Sequence, residues 1–212
     1  MKRTGFTLAE VLITLGIIGV VASLTMPALM ANYRRKVAAV RLSKFYSIYS
    51  QAIAMKKAES GSDYLDDSML MSKDDPDMML EFFKANYEPY IKTIKTLKTN
   101  KGFAGAFPDG SGFYIRKDYY HDTVCGGTCN TYIIFCVDYK KCENIDESSN
   151  AYDYTTNGKD IFLFYASGST PTFNWDNTRP SLINLCASIK SYCSTLFVYD
   201  GLEFKDDYPI NF

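Results

Sequence analysis

The stretch that decides the fold is residues 5–30, which read GFTLAEVLITLGIIGVVASLTMPALM. Residues 6–26 are apolar apart from small hydroxyls, glycines and a single carboxylate, that of Glu10. About 20 residues of helix are enough to cross the hydrocarbon core of a bilayer. The stretch therefore predicts a membrane-spanning helix over residues 6–30.

Glu10 is the exception inside this apolar run. A charge deep in hydrocarbon costs roughly 2.5–3.5 kcal/mol even on insertion scales, so such a residue normally has a partner, and an intact chain offers none upstream. A cut between Gly5 and Phe6 would remove Lys2 and Arg3 and create a free α-amine at that depth. The amine of one copy and the carboxylate of a staggered neighbour could then neutralise each other, so the segment is interpreted as an assembly device as well as an anchor.

This order of residues, a short basic leader, Gly5-Phe6-Thr7-Leu8-Ala9-Glu10 and an apolar helix with Pro27 near its end, resembles the prepilin signature of type IV pilins and type II secretion pseudopilins. The resemblance implies that a prepilin peptidase cuts after Gly5 and N-methylates Phe6. It also implies that Glu10 guides helix packing into a filament. The implied partners are the peptidase, other copies and related pilin-like subunits, an inner-membrane assembly platform and membrane lipid.

Two other interpretations fit the same stretch less well. An ordinary secretory signal peptide would use Lys2 and Arg3 as its basic region and be cut after residues 29–31. Glu10 and a helical pattern that continues past Ala31 disfavour it. A plain signal anchor predicts the same span but leaves Glu10 unexplained. Basic residues flank the span on both sides, so charge does not fix its orientation.

Charge is segregated along the 212 residues, although the formal net charge is only −1. Residues 1–58 hold nine Lys or Arg against one acid, and residues 59–212 hold fourteen against twenty-three. An acidic head argues against nucleic-acid binding by that domain, which would need phosphate-neutralising cations. The basic stem would meet anionic lipid headgroups or a neighbour's acidic face, or is simply solvated; its residues are Arg34, Arg35, Lys36, Arg41 and Lys44.

All six cysteines lie in the head, and their even number behind an export signal favours disulfides over thiols, with the head outside the cytoplasm. They are Cys125, Cys129, Cys136, Cys142, Cys186 and Cys193. A helix predicted to begin at Pro180 and run through Cys186 and Cys193 would separate their Cα atoms by roughly 10 Å. A disulfide needs about 7 Å or less. We therefore expect each of these two to bridge to one of the other four, joining the C-terminal segment to the sheet; a helix break near Ser188 or Ser191 would instead let the two meet.

Periodicity outlines an α+β fold in which one long N-terminal helix packs against a small antiparallel sheet. The expected organisation is a leader at residues 1–5, a helix over 6–58 whose first part (6–30) spans the membrane, and a globular extracytoplasmic head at 59–212. Gly61 should stop the long helix, and Asp75-Pro76 should begin a second that ends near Asn86. Strands are predicted at 112–115, 132–139 and 160–165. Pseudopilin heads also lay an antiparallel sheet across the stem helix, and residues 200–209 resemble the ending of many such proteins.

Enzymatic chemistry is not expected. His121 is the only histidine, and no nucleophile elbow, P-loop or dinucleotide fingerprint occurs. The spacing of the first four cysteines lacks the paired knuckles of zinc sites. Residues 143–160 carry oxygen donors that could in principle hold calcium, but their spacing matches no defined site, and a solvated acidic loop is the default; the donors are Asp146, Glu147, Asp153, Asn157 and Asp160.

The sequence thus predicts a structural subunit of a type IV pilus or type II secretion-like filament, with no catalytic residue, metal or cofactor. It would be a single-pass inner-membrane protein with its head outside, and then part of a filament in the periplasm or at the cell surface. The alternatives are a minor or tip subunit, and a ligand-binding or adhesive module on a membrane anchor. Pilus, secretion and DNA-uptake systems are not distinguished by the sequence.

Overall fold

A computed structural model describes Gly5 and residues 7–61, 75–117, 131–145, 156–165 and 178–212. Its longest element is helix α1, Leu8–Ser60, which runs through Pro27 without interruption. Gly61 follows it at φ 68° and donates its N–H to the carbonyl of Lys57. The predicted helix and its glycine stop are confirmed, since a left-handed residue after the last turn suits glycine best.

The chain divides into two compact units, Met1–Lys36 with Phe212 and Val37–Asn211. In the first unit, α1 exposes its apolar side chains. In the second, the rest of α1 buries one face at the helical spacing expected from the sequence; the buried residues are Ala38, Leu42, Phe45, Tyr49, Ala52 and Ile53.

Helix α2, Pro76–Asn86, begins where the sequence predicted it. The Oδ1 atom of Asp75 accepts hydrogen bonds from the backbone N–H groups of Asp77 and Met78. Pro76 takes the first helical position, where its missing N–H has no consequence. Met79, Phe82 and Phe83 face the core.

The sheet has five antiparallel strands in the order β1-β2-β3-β4-β5, which are Lys95–Lys98, Gly102–Ala106, Gly112–Lys117, Thr131–Cys136 and Ile161–Tyr165. The sequence predicted the last three and missed the first two. Strand β2 contains Gly102 and Gly105, which are poor strand formers. A Cβ at Gly105 would lie 2.5 Å from the ring of Phe113, and one at Gly102 would lie 2.4 Å from the carbonyl oxygen of Ile115. These glycines are required by the neighbouring strand, so the local sequence gave no sign of β2.

Strand β4 ends earlier than residue 139, the predicted limit. Asp138 accepts a hydrogen bond from the N–H of Lys140 and caps the short helix α3, Tyr139–Glu143. A capping aspartate competes with continued strand pairing. Cys136 and Cys142, one on each side of this corner, form a disulfide with a Cα–Cα distance of 5.7 Å.

Both faces of the sheet are buried. One face meets α1 and α2 through aromatic contacts, with the ring of Phe45 4.6 Å from that of Phe135 and the ring of Phe83 5.1 Å from that of Phe103. The other face lies under α3 and the C-terminal helices and contributes Ala104, Tyr114, Ile134 and Leu163 to a second cluster. The α+β architecture is therefore confirmed, with the sheet between two layers of helix.

The expectation for Cys186 and Cys193 is wrong, because these two residues form a disulfide with each other at a Cα–Cα distance of 4.6 Å. Helix α4, Arg179–Ser188, stops at Ile189, which is extended at φ −123° and ψ 100°. A single 3₁₀ turn, Lys190–Tyr192, leads into helix α5, Cys193–Tyr199. The hydroxyl of Ser188 bonds back to the carbonyl of Asn184, an arrangement typical of helix ends and bends. The break brings the two sulfurs together, so neither cysteine bridges to the sheet.

Candidate processing and assembly site

The residues that carry the candidate processing site lie just ahead of α1. Gly5 is exposed and lies outside any regular element, and a Cβ built on it would meet nothing within 4 Å. Phe6, the expected new N-terminus, lies outside the described residues. The described part of the leader therefore leaves the Gly5 side of the expected cut open to an enzyme.

Glu10 and Thr7 form a capping box at the start of α1. The Oε2 atom of Glu10 accepts hydrogen bonds from the backbone N–H and the hydroxyl of Thr7, both at 2.8 Å. In return the Thr7 Oγ1 atom accepts one from the Glu10 N–H at 3.3 Å. This reciprocal pairing satisfies two backbone donors that a helix start otherwise leaves open.

The expectation that an intact chain offers Glu10 no upstream partner is wrong in one respect. Thr7 supplies hydrogen-bond donors, although it supplies no cation. The Thr-x-x-Glu pattern of residues 7–10 is a known helix-start signal, and it was visible in the sequence but overlooked. The carboxylate also lies in the first turn, where the helix dipole favours negative charge. Glu10 therefore has a local role in the single chain, and any role between copies comes in addition.

Among the described residues, one helix, α1, could cross a membrane, judged by its length and composition alone. In the apolar run between Val11 and Met26, the hydroxyls are satisfied within the helix: Thr14 donates to Glu10, Ser23 to Val20 and Thr25 to Val21, in each case to a backbone carbonyl. Such bonds let polar side chains enter hydrocarbon without an unmet donor. Pro27 has no N–H, so the carbonyl of Ser23 lacks its usual helical donor.

The head contains a charged cluster that the sequence gave no reason to expect. Arg179 binds Asp200 through Nε at 2.6 Å and binds Asp207 through Nη1 at 2.6 Å. The side chain of Asp200 is 1% exposed. Hydrogen bonds from Arg179 hold the pKa of Asp207 below its ordinary value. The cluster ties the start of α4 to the C-terminal segment across 21 and 28 positions of sequence.

The C-terminal segment is also fixed to two other parts of the head. The hydroxyl of Ser43 on α1 donates to the carbonyl of Leu202 at 3.0 Å. The buried hydroxyl of Tyr208 donates to the carbonyl of Gly158, and its burial raises the pKa of that phenol. Leu202 adopts a left-handed conformation at φ 67°, which is costly for a side chain other than glycine's. These bonds hold the segment in place despite that conformation.

Six of the remaining candidates from the sequence lie outside the described residues. They are His121, Cys125, Cys129, Asp146, Glu147 and Asp153. Of the calcium candidates that are described, Asn157 uses its Oδ1 atom to accept three backbone N–H groups in the turn before β5. Asp160 accepts a hydrogen bond from Lys141 at 2.6 Å. These two oxygen donors are engaged by the protein itself. Within the described ranges, no group of three or more His, Cys, Asp or Glu is arranged to hold a metal ion.

Comparisons with known proteins divide the chain in two. Residues 28–212 match the model of a family described as a family of unknown function (DUF6613). Residues 1–26 match the model of the prokaryotic N-terminal methylation motif. No curated protein and no solved structure matches the chain. The methylation motif, which covers Gly5, Phe6 and Glu10, supports a type IV pilin-like or pseudopilin substrate of prepilin peptidase.

Proposed function

The chain belongs to the family of unknown function DUF6613, and because a prokaryotic N-terminal methylation motif precedes that region, we propose that it is a structural subunit of a type IV pilus or of a type II secretion-like filament. The motif is the observation that carries the proposal. The subunit would be held in the inner membrane with its head outside and would then pass into the filament. The proposal assigns it no reaction.

The apolar surface of α1 supports this role. Thirteen large apolar side chains between Leu8 and Met30 are 44–78% exposed. Exposed apolar patches of this size mark a surface that meets lipid or another protein. Lipid would cover it before assembly, and the helices of other copies would cover it afterwards.

Glu10 supplies a reason for copies to associate. Among the residues that the structure describes, its carboxylate has the donors of Thr7 but no counter-charge. Processing after Gly5 would place a cationic amine on Phe6, one position before Thr7. The amine of a neighbouring copy would neutralise the carboxylate and so remove the cost of an unpaired charge in hydrocarbon.

Mass spectrometry of the native protein tests the processing step. The expected mature chain begins at N-methyl-Phe6. The Gly5→Val variant should keep its leader, because a branched side chain would occupy the position at the cut. Gly16→Ala is the matched control: Gly16 also has open space around it but lies inside α1, so this variant should be processed normally. A mature terminus at Met1 or Asn32 would overturn the proposal.

A further inference from the structure

A groove of about 450 Å³ lies along α1 where the apolar run ends, and it is lined by Ser23, Met26, Pro27, Met30, Ala31, Arg34 and Phe212. All of these residues belong to the compact unit Met1–Lys36 with Phe212. Six of the seven lining residues belong to α1 and the seventh is Phe212, so the processing site does not contribute to the groove. The groove is therefore a separate feature from the processing site.

The lining changes character along the helix. Met26, Pro27, Met30 and Ala31 give the groove an apolar floor, and the exposed guanidinium of Arg34 closes one end. The eight positions from Met26 to Arg34 span about 12 Å of helix axis. Tyr33, which precedes Arg34, is 64% exposed. A tyrosine next to basic residues at the end of an apolar run is typical of the membrane–water interface. The apolar floor would thus lie in hydrocarbon and Arg34 at headgroup level.

We propose that this groove binds one anionic phospholipid from the leaflet on the side of the head. An acyl chain lies along the apolar floor, and the phosphate accepts hydrogen bonds from Arg34, whose planar donor set suits phosphate oxygens. The inference rests on the proposed function only in requiring that the chain reside in a membrane before assembly.

The positions of the acidic residues in α1 favour an anionic lipid over a second copy of α1 as the occupant of the groove. The acids of this helix are Glu10 and Glu59 alone, 24 and 25 positions from Arg34. A neighbouring helix, even one staggered by the four positions that separate Phe6 from Glu10, would therefore cover the apolar floor but place neither of its acids near the guanidinium. An anionic lipid supplies both the apolar chain and the negative charge at the required separation.

The test measures lipid retained by the full-length unprocessed protein after release from nanodiscs, using native mass spectrometry. The nanodiscs contain phosphatidylcholine alone or mixed with phosphatidylglycerol of the same acyl chains. Phosphatidylglycerol should be retained preferentially, at about one molecule per chain. Arg34→Gln should weaken that retention about tenfold or more, since it removes hydrogen bonds from a charged guanidinium to the phosphate.

Two matched controls locate the site. Lys36→Gln removes the same charge two positions away without lining the groove, and it should leave retention nearly unchanged. Ala31→Phe fills the groove and should abolish the one-to-one lipid, whereas Ala28→Phe, outside the groove on the same helix, should not. Equal losses in Arg34→Gln and Lys36→Gln would overturn the proposal in favour of a diffuse basic collar. Equal retention of the two lipids, or a lipid that survives Ala31→Phe, would also overturn it. None of these readouts depends on cleavage or filament formation, so failure here leaves the proposed function to its own test.

Discussion

The two parts of α1 use one continuous helix in opposite ways. Between Leu8 and Met30, apolar side chains point outward all round the helix. Between Val37 and Ser60, six residues are buried, and Phe45 and Tyr49 stack within an aromatic core. The apolar surface of the first part is left uncovered by the described residues, and the second part is covered by its own chain. Substitutions in the first part should therefore alter association, and those in the second should alter folding of the head.

The largest effect is expected at Glu10. Glu10→Gln keeps an oxygen for the Thr7 donors but loses the charge, so the protein should enter the membrane at least as well and assemble poorly or not at all. The measurements are the amount of protein in the membrane fraction and the yield of sheared or cross-linked filaments in native cells.

The Thr7→Ala variant tests whether Glu10 acts through its charge or through the capping box that it forms with Thr7. It keeps the carboxylate and removes the hydroxyl of the capping box, which costs about 1 kcal/mol of helix stability. Assembly should fall only in part. Wild-type filament yield from Glu10→Gln, or an equal loss in both variants, would show that Glu10 acts as a helix cap and would break the contrast between the two parts of α1.

The next effect concerns the buried part of the helix. Phe45→Ala should destabilise the head by about 3–5 kcal/mol, because it empties a site packed against Phe135 and Phe164. Membrane insertion should not change. Val40→Ala is the control: Val40 is 68% exposed on the same helix, and its loss should alter stability by less than about 0.5 kcal/mol. Urea unfolding of the full chain in detergent, followed by near-UV circular dichroism, would measure the stability of both variants. A similar loss of stability in Phe45→Ala and Val40→Ala would mean that the buried and exposed faces of this part of α1 do not differ.

A smaller effect is expected from the Cys186–Cys193 disulfide. The two residues are 7 positions apart, and the chain-entropy relation gives roughly 2.4 kcal/mol for so short a loop. Replacing both by alanine should lower head stability by that amount and leave the membrane fraction unchanged. Non-reducing peptide mapping of the wild-type protein should recover the pair as one linked fragment, together with a Cys136–Cys142 fragment. A fragment joining Cys186 to Cys136 or Cys142 would contradict the fold of this corner.

The smallest effect is a pH dependence at the Arg179 cluster. The folded pKa of Asp207 is depressed, so its stabilisation is fully present above the unfolded value of about 3.9 and is lost as pH falls through the lower folded value. The Tm of the wild-type head should exceed that of Asp207→Asn at neutral pH, and the difference should shrink below about pH 4 and vanish once the pH is below the depressed folded pKa of Asp207. Glu203→Gln, an exposed change in the same segment, should show no such difference. A Tm difference between the wild type and Asp207→Asn that grows toward low pH would contradict the ion pair between Arg179 and Asp207.

Local signals in the sequence predicted much of this fold. The apolar run, Gly61 and the Asp75-Pro76 pair define helix ends through contacts within a few residues, and α1 and α2 follow them. Features that depend on distant residues were missed. Strand β2 owes its glycines to Phe113 and Ile115, and Arg179 finds its carboxylates at positions 200 and 207. The break at Ile189, which lets Cys186 and Cys193 pair with each other, was not indicated by the apolar periodicity of this region. The capping box is different, because its signal was local and was overlooked.

Strand β1 has a consequence for the proposed filament, in which the copies would gather side by side. Among the described strands it pairs only with β2, so its other edge is open, and an open edge is a template for unwanted strand pairing between molecules. Here the edge is only four residues long, and both its ends are lysines. Lys95 is held by Glu143 at 2.5 Å and Lys98 by Asp77 at 2.6 Å. A second strand would have to displace these ion pairs and bring further charge alongside them, so crowded heads can stay close to one another without joining their sheets into an aggregate.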